Sequence, residues 1–242
     1  MLWPFYSRMY RRAIRVVRSQ PGHGDLIDHE IPDDRGDFVS LPKEKQVKQI
    51  GLRILRVLKE MGSRYGFEFS LAFGTLLGAI RHDGFIPWDD DVDVFMMQSD
   101  LETLIQHANH LPSGLSLVPM GVGFFKIMDR SSIVSRDGKR GVAVDIFVIR
   151  ESSMDRISFI NVHSSKRIHL SRRDFEPLIP REFEGVMFSI PKNWDEILSV
   201  LYGNYMKFPP QENRVSPHLS PDKIEIRPYG DFIVSDRLLR QS

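Results

Sequence analysis

The hydrophobic positions along this chain change their spacing several times, and each spacing predicts a different element. Between Pro42 and Arg64, apolar residues recur at helical intervals and form one stripe, which predicts a long amphipathic helix with Ser40 as its cap. Asn193 opens a second helical pattern, which we expect to end near Gly203 because glycine commonly terminates helices. Both segments are therefore predicted to be helices with one apolar face.

Shorter apolar runs between these helices predict the strands Phe67–Phe73, Val92–Met97, Phe124–Met128 and Val142–Ile149. At Gly74–Arg81 we expect a turn that enters a short helix, and a capping-box pattern opens another helix over Ser99–Asn109. Residues 150–180 are poorly patterned, and the proline-containing tail from Pro209 is expected to be mostly irregular. This order of elements predicts an α+β fold with acidic residues at strand ends.

Composition limits the class of protein. The chain of 242 residues is long enough for one domain with additional elements, which we place at residues 37–242, after a basic arm and linker at residues 1–36. A net charge of +1 gives no overall attraction to nucleic acid, so no nucleic-acid partner is expected. The absence of cysteine excludes disulfides, thiolate metal sites and cysteine nucleophiles. With no spanning segment or signal peptide, the chain is predicted to be cytoplasmic.

The N-terminal segment at residues 2–18 carries five arginines and no acidic residue. Its apolar residues recur at helical spacing, and Trp3 and Phe5 lie at one end. One interpretation is an amphipathic helix that makes a peripheral contact with the anionic inner membrane surface. The alternatives are a terminal helix docked on its own domain and a disordered arm.

A cluster of carboxylates stands at the start of the second predicted strand, in the sequence PWDDDVD at residues 87–93. Strand side chains alternate between faces, so we expect Asp91 and Asp93 on one side, with Asp89 able to join them and Asp90 pointing away. Two such charges about 4 Å apart repel by roughly 4 kcal/mol at an effective dielectric near 20. Protonation or a divalent cation would relieve this repulsion, and carboxylate oxygens suit Mg²⁺ or Mn²⁺.

A further carboxylate lies inside an apolar strand. Asp145 is the one polar residue in VAVDIFV, so its burial is costly unless it is paired, hydrogen-bonded to backbone or bound to a metal. Beside a separate Asp-x-Asp strand, we favour a third metal ligand over a structural aspartate. The spacing of Asp89, Asp91 and Asp93 also matches the start of an EF-hand loop. That interpretation is excluded because Val94 stands where the loop requires glycine.

A phosphate-binding turn is predicted in the sequence FGTLLGAIRHDG. Gly74 would let the backbone approach a ligand closely, and the Thr75 hydroxyl and neighbouring N–H groups would bind an anion at the helix start. Arg81 is expected either to clamp a phosphate or to form an ion pair with Asp83 or Asp89.

Two more side chains near these motifs have alternative roles. Lys126, on a predicted strand, either faces the same phosphates or extends its amino group from the sheet edge into solvent. Trp88, next to the acids, is either a core residue, which we favour, or a platform on which a nucleobase stacks.

These motifs together resemble those of one known family. The segment FGTLLGAIRHDGFIPWDDDVDVFM at residues 73–96 closely resembles the core motif of the LicD family, which includes bacterial phosphocholine transferases and the fukutin-related proteins. The later VDIFVI and the segment FEGVMFSIPKNWDEILSVLYGNYMKFPP also resemble parts of that family. The resemblance extends in pieces over roughly residues 46–210.

The resemblance implies a nucleotidyltransferase-like core with a mixed β-sheet flanked by helices. It also implies an enzyme that, with Mg²⁺ or Mn²⁺, moves a phospho-alcohol such as phosphocholine from a CDP-activated donor to a hydroxyl of a cell-surface glycan or glycolipid. Carried over to this sequence, Asp91 and Asp93 are the metal-binding pair and Asp145 is the third acid. Gly74-Thr75 is the phosphate-contacting turn, and Asp89 matches a further acidic position of the motif.

Metal-assisted phosphoryl transfer is the reaction that we favour from the sequence, with Asp145 or Asp89 activating the acceptor hydroxyl. One alternative is nucleotidyl transfer, in which the same acids attach a nucleoside monophosphate to the acceptor and release pyrophosphate. A second alternative is a non-catalytic relative that binds a nucleotide. All the acids of the motif are present in this sequence, which argues against that alternative.

Overall fold

The computed structural model describes residues 41–112, 114–129, 132–134, 141–161, 166–215 and 224–226. Its helices are α1 (Lys43–Tyr65), α2 (Phe73–Arg81), α3 (Gln98–Gln106), α4 (Arg172–Phe175) and α5 (Trp194–Tyr202), with 3₁₀ turns at Ala108–His110 and Gln211–Asn213. Its strands are β1 (Ser70–Leu71), β2 (Val92–Met97), β3 (Leu115–Gly121), β4 (Phe124–Asp129), β5 (Ser132–Val134), β6 (Ala143–Ser153), β7 (Arg156–Asn161), β8 (Lys166–Ser171), β9 (Leu178–Phe183), β10 (Val186–Pro191) and β11 (Ile224–Ile226).

Seven of these strands form one mixed sheet. Five follow the order β1-β2-β6-β4-β3, while β7 pairs with the far end of β6 and β8 pairs with β7. Strands β2 and β6 run parallel, and the other described ladders of this sheet are antiparallel. The β9–β10 hairpin and the antiparallel pair β5–β11 form two separate two-stranded sheets. The α+β class and the mixed sheet with helices are thus confirmed.

Helix α1 packs its apolar stripe into the core. The stripe is buried along its length, at Val47, Ile50, Ile54, Leu58 and Met61. The helix also approaches the sheet closely, because a Cβ added at Gly51 would lie 2.7 Å from Cγ2 of Val92. Since Val92 is the first residue of β2, α1 supports the end of the strand that carries the acidic cluster.

The start of α2 is placed beside the same end of β2. The N–H of Ala72 donates to the carbonyl of Asp93 at 3.0 Å, and Phe73 then turns the chain with a φ of 41° and begins the helix. The strand predicted at Phe67–Phe73 is therefore wrong in extent, since only Ser70–Leu71 pairs with β2. Gly74 and the residue after it lie in the first turn of α2 and not in a turn before it.

Other sequence predictions need correction. Helix α3 begins at Gln98, and the residue at its N-cap is Met97, so the capping box predicted from Ser99 is wrong. Residues 150–180 contain the end of β6, the strands β7 and β8, the short helix α4 and the start of β9, which the sequence did not reveal. The reason is visible in β8, where Leu170 is buried and most of its neighbours are exposed, so no alternating pattern marks the strand.

Several predictions concern residues outside the described ranges. The basic segment at residues 2–18, the linker that completes residues 1–36 and the cap at Ser40 all lie there, so these stay predictions. Within the described ranges, no helix has the length and apolar character needed to cross a bilayer.

Candidate active site

The two strand-borne acids lie side by side across the parallel ladder. Asp93 of β2 and Asp145 of β6 are register partners, and Lys126 of β4 is the register partner of Asp145 on the next strand. The Lys126 amino nitrogen lies 2.8 Å from Oδ1 and 2.9 Å from Oδ2 of Asp145. The sheet therefore brings together two acids that are distant in sequence, and adds a lysine that contacts one of them.

Asp93 lies in the buried part of the site, and a hydrogen bond from its backbone N–H fixes its position. Its side chain is 7% exposed, and its N–H donates to the hydroxyl oxygen of Thr75 at 2.9 Å. The pKa of Asp93 is raised well above its usual range. Burial is the largest cause, the charge of Asp91 is the second and that of Asp145 is the third. The lysine contacting Asp145 lowers this pKa but does not reverse the shift.

The acids just before β2 form a second, more accessible part of the site. Carboxylate oxygens of Asp89, Asp90 and Asp91 lie within 4.8 Å of one another, and all three residues are half-buried. The expectation that Asp90 points away is wrong, because these residues precede the strand and the alternation of strand faces does not apply to them. Burial and the neighbouring Asp91 raise the pKa of Asp89 to about 7.

The start of α2 contacts both parts of the acidic site. A Cβ added at Gly74 would lie 2.4 Å from Oδ2 of Asp89, so this carboxylate rests against the first helical turn. The Thr75 hydroxyl accepts the N–H of Asp93, and Thr75 itself is buried. In the described structure these residues position the acids, and their predicted contact with a phosphate stays a prediction.

Arg81 and Trp88 both pack against the ring of Phe208. Arg81 pairs with neither Asp83 nor Asp89; its Nη1 donates to the carbonyl of Tyr205 at 2.8 Å. Asp83 is instead bound by Arg181, at 2.7 Å. Trp88 is half-buried and packs against the core, as favoured from the sequence, but part of its surface remains accessible.

Comparison with known proteins agrees with this arrangement. A family profile described as LicD/FKTN/FKRP, nucleotidyltransferase domain, matches residues 66–193, which is more than half of the chain. The chain belongs to the LicD family. The matched range contains β2, β4, β6 and the start of α2, and therefore every predicted site residue.

Two curated relatives of this LicD-family chain are named as transferases. It is 24% identical over 255 residues to the lipopolysaccharide cholinephosphotransferase LicD of Haemophilus influenzae, a match that covers 73% of this chain and 96% of that protein. It is 25% identical over 162 residues to the ribitol 5-phosphate transferase FKRP of Mus musculus, covering 66% of this chain and 31% of FKRP. The lincosamide adenylyltransferase LnuA, solved with lincomycin, aligns at a TM-score of 0.40 and 12% identity over 62% of this chain and 85% of LnuA, a similarity too low to carry an argument.

Two residues at the LicD site were missed from the sequence. Lys48 of α1 donates to the carbonyls of Ile86 and Pro87, each at 2.9 Å, and fixes the loop that leads into the acids. Tyr202 ends α5 and is 44% exposed as a whole residue. Partial burial, followed by the charges of Asp93, Asp89 and Asp91, raises its pKa. A lysine at the border of a helical stripe gives no sequence signal. The tyrosine belongs to a segment that resembles the family, which could have indicated it.

Proposed function

We propose that this protein is a divalent-cation-dependent transferase that moves a phospho-alcohol from a CDP-activated donor to a hydroxyl of a glycan. The observation that carries the proposal is the juxtaposition of Asp93 and Asp145 on adjacent parallel strands, next to the clustered oxygens of Asp89 to Asp91. Crowded carboxylates with raised pKa values at the end of a sheet are typical of a site that binds cations.

The relatives support the same class of reaction. One is named for transferring phosphocholine in lipopolysaccharide and another for transferring ribitol 5-phosphate. Both names describe the transfer of an alcohol that carries a phosphate. We therefore propose the same class for this chain, with choline, glycerol and ribitol as the alcohols to be compared.

The residues present fit a magnesium or manganese ion. Asp89, Asp90 and Asp91 offer carboxylate oxygens within 4.8 Å of one another, and Asp93 and Asp145 add carboxylates on the neighbouring strands. Carboxylate oxygens are the donors that hard divalent cations prefer. We assign Asp91, Asp93 and Asp145 as the ligands, with Asp89 beside them. When bound, the cation would neutralise negative charge on the donor pyrophosphate.

The chain's own residues account for the rest of the reaction. Asp145 or Asp89 takes the proton of the acceptor hydroxyl, whose oxygen forms a bond to the phosphorus that carries the alcohol. The bond from that phosphorus to the bridging oxygen breaks, and CMP leaves with the oxygen and the electron pair. Lys126 holds Asp145 in place, and the start of α2, at Gly74 and Thr75, faces the departing phosphate.

The experiment follows CMP release from CDP-choline, CDP-glycerol and CDP-ribitol with Mg²⁺ and a glycan acceptor. We expect one of the donors to be consumed, EDTA to stop the reaction and Asp93→Ala to abolish it. The exposed Asp155 offers a matched control, so Asp155→Ala should release CMP at the wild-type rate. Turnover retained by Asp93→Ala would contradict the assignment.

Nucleotidyl transfer is the second candidate, because the matching profile is described as a nucleotidyltransferase domain. The leaving group distinguishes the two reactions. Release of CMP with transfer of labelled alcohol supports the proposal, whereas release of pyrophosphate from a nucleoside triphosphate supports nucleotidyl transfer.

A further inference from the structure

Two arginines lie close to one aromatic ring, that of Phe208. The guanidinium carbon of Arg81 lies 4.6 Å from the ring centre of Phe208, and that of Arg214 lies 5.3 Å from the same centre. Arg81 ends α2, whereas Phe208 and Arg214 belong to the segment after α5. The C-terminal segment therefore adds a second positive charge beside Arg81.

The ring of Trp88 extends the aromatic surface beneath these cations. The ring centres of Trp88 and Phe208 are 6.3 Å apart. The guanidinium carbon of Arg214 lies 5.5 Å from the ring centre of Trp88. Trp88 immediately precedes Asp89, so the backbone links this aromatic surface to the acidic cluster. Phe208 is 45% exposed, which leaves this surface open to a ligand.

Backbone carbonyls hold both guanidinium groups without neutralising them. Arg81 donates from Nη1 to the carbonyl of Tyr205 at 2.8 Å, and Arg214 donates from Nε to the carbonyl of Pro209 at 2.9 Å. A guanidinium has five N–H donors, so most remain available for a ligand. In the part of the chain that the structure describes, no carboxylate forms an ion pair with either arginine.

The two guanidinium groups have the features of an anion-binding site. The Arg81 Nε is buried and has no hydrogen-bond partner among the described residues, although a buried donor is costly to leave unsatisfied. Burial and the charge of Arg214 both lower the pKa of Arg81, which shows that the two like charges interact. An anion bound between them would relieve the repulsion and supply the missing acceptor.

We propose that Arg81 and Arg214 form a phosphate clamp, with Trp88 and Phe208 as its aromatic floor. The clamp and the acidic cluster are complementary, since one attracts the phosphate oxygens and the other attracts the cation that accompanies them. The proposal rests on the proposed function for the source of the phosphate, which we assign to the nucleotide part of the donor. The exposed part of Phe208 suits contact with the planar base of a nucleotide.

Calorimetric titration of the full chain tests the clamp with CMP, cytidine and glucose 6-phosphate as probes. We expect Arg214→Gln to weaken CMP binding about tenfold or more, because a charge-assisted bidentate contact is lost. Arg214→Lys should recover only part of the affinity, because lysine keeps the charge without the fork. Lys207→Gln is the matched control: it removes one positive charge from an exposed position in the same segment, and we expect less than about a twofold change.

The three probes distinguish a nucleotide phosphate from any other phosphate ester, and they test the clamp separately from the transferase function. Weaker binding of CMP but not of cytidine supports the clamp. An equal loss for glucose 6-phosphate also supports it, and moves the assigned source from the nucleotide to any phosphate ester. CMP affinity that is unchanged in Arg214→Gln, or lowered equally in Lys207→Gln, overturns the clamp. Because binding is measured without turnover, the clamp stands or falls separately from the transferase activity.

Discussion

Two buried aspartates of the same sheet have opposite surroundings. Asp129, at the end of β4, is 1% exposed and forms an ion pair with Arg53 of α1, which is 4% exposed, at 3.9 Å. Asp93, at the start of β2, is 7% exposed, and the charges of Asp91, Asp145 and Asp89 raise its pKa more than that of Lys126 lowers it. The chain thus supplies a cation to the first aspartate and further carboxylates to the second.

This difference separates an acid that stabilises the fold from one that is available for chemistry. A buried pair is sensitive to the loss of either partner, because the remaining charge is left uncompensated. A crowded carboxylate destabilises its surroundings until a proton or a cation arrives, so its removal should leave the fold intact. The contrast predicts that mutations at the two positions will affect different properties.

The largest effect is expected for Asp93→Asn. We expect CMP release to fall by about 10³-fold or more, because a cation-binding charge worth several kcal/mol is lost. The melting temperature should stay the same or rise, because a like-charge repulsion is removed at the same time. Turnover and thermal unfolding of one preparation provide the check, and a large drop in melting temperature would show that Asp93 is structural.

The reverse outcome is expected for Asp129→Asn. Loss of the carboxylate leaves the Arg53 charge buried without its partner, which should lower the free energy of unfolding by about 3–5 kcal/mol. Urea unfolding measures this loss, with the exposed Asp155→Asn as the control. If Asp129→Asn changed the free energy of unfolding by less than about 1 kcal/mol, Asp129 would not be an acid that stabilises the fold, and the contrast with Asp93 would be wrong.

A smaller effect is expected where the helix touches the acidic cluster. In Gly74→Ala, the added methyl group would lie 2.4 Å from Oδ2 of Asp89 and must displace this carboxylate. We expect CMP release to fall about 10- to 100-fold, since small displacements at a reacting centre have effects of this size. At Gly121 an added Cβ meets nothing within 4 Å, so Gly121→Ala should keep wild-type activity. Equal activity of the two variants would show that this contact does not matter.

The smallest effect concerns the pH dependence of stability without metal. Because the pKa of Asp89 in the folded protein is about 7 and its ordinary value is 3.8, the folded state binds this proton more tightly. Its stabilising contribution is therefore complete below pH 3.8 and is lost as pH rises through about 7. In EDTA, the melting temperature of wild type minus that of Asp89→Asn should fall between pH 5 and pH 8. A constant difference would contradict the raised pKa.

The sequence was most informative where chemistry is local. Asp91 and Asp93 are two positions apart, so an interaction between their charges could be expected from the sequence. The lone Asp145 in an apolar strand was a second local signal. The side-by-side placement of Asp93 and Asp145 could be expected from the family resemblance but not from periodicity, because it depends on the register of two strands far apart in the chain.

The remaining features depend on contacts that no local pattern encodes. The ion pair of Lys126 with Asp145 requires the antiparallel register of β4 and β6. The position of Arg214 requires an irregular segment to fold back onto α2, and such segments have no periodicity to interpret. The inclusion of Asp90 in the acidic cluster was missed because strand alternation was applied to residues that precede the strand.

The most direct test of the central claim is a titration with Mn²⁺ monitored by electron paramagnetic resonance, performed on the wild-type chain, Asp93→Asn and Asp155→Asn. The account predicts that wild type and Asp155→Asn bind Mn²⁺ with the same affinity, that CMP strengthens this binding, and that Asp93→Asn weakens it about tenfold or more. Equal Mn²⁺ affinity in all three proteins would contradict the assignment of the acidic cluster as a cation site.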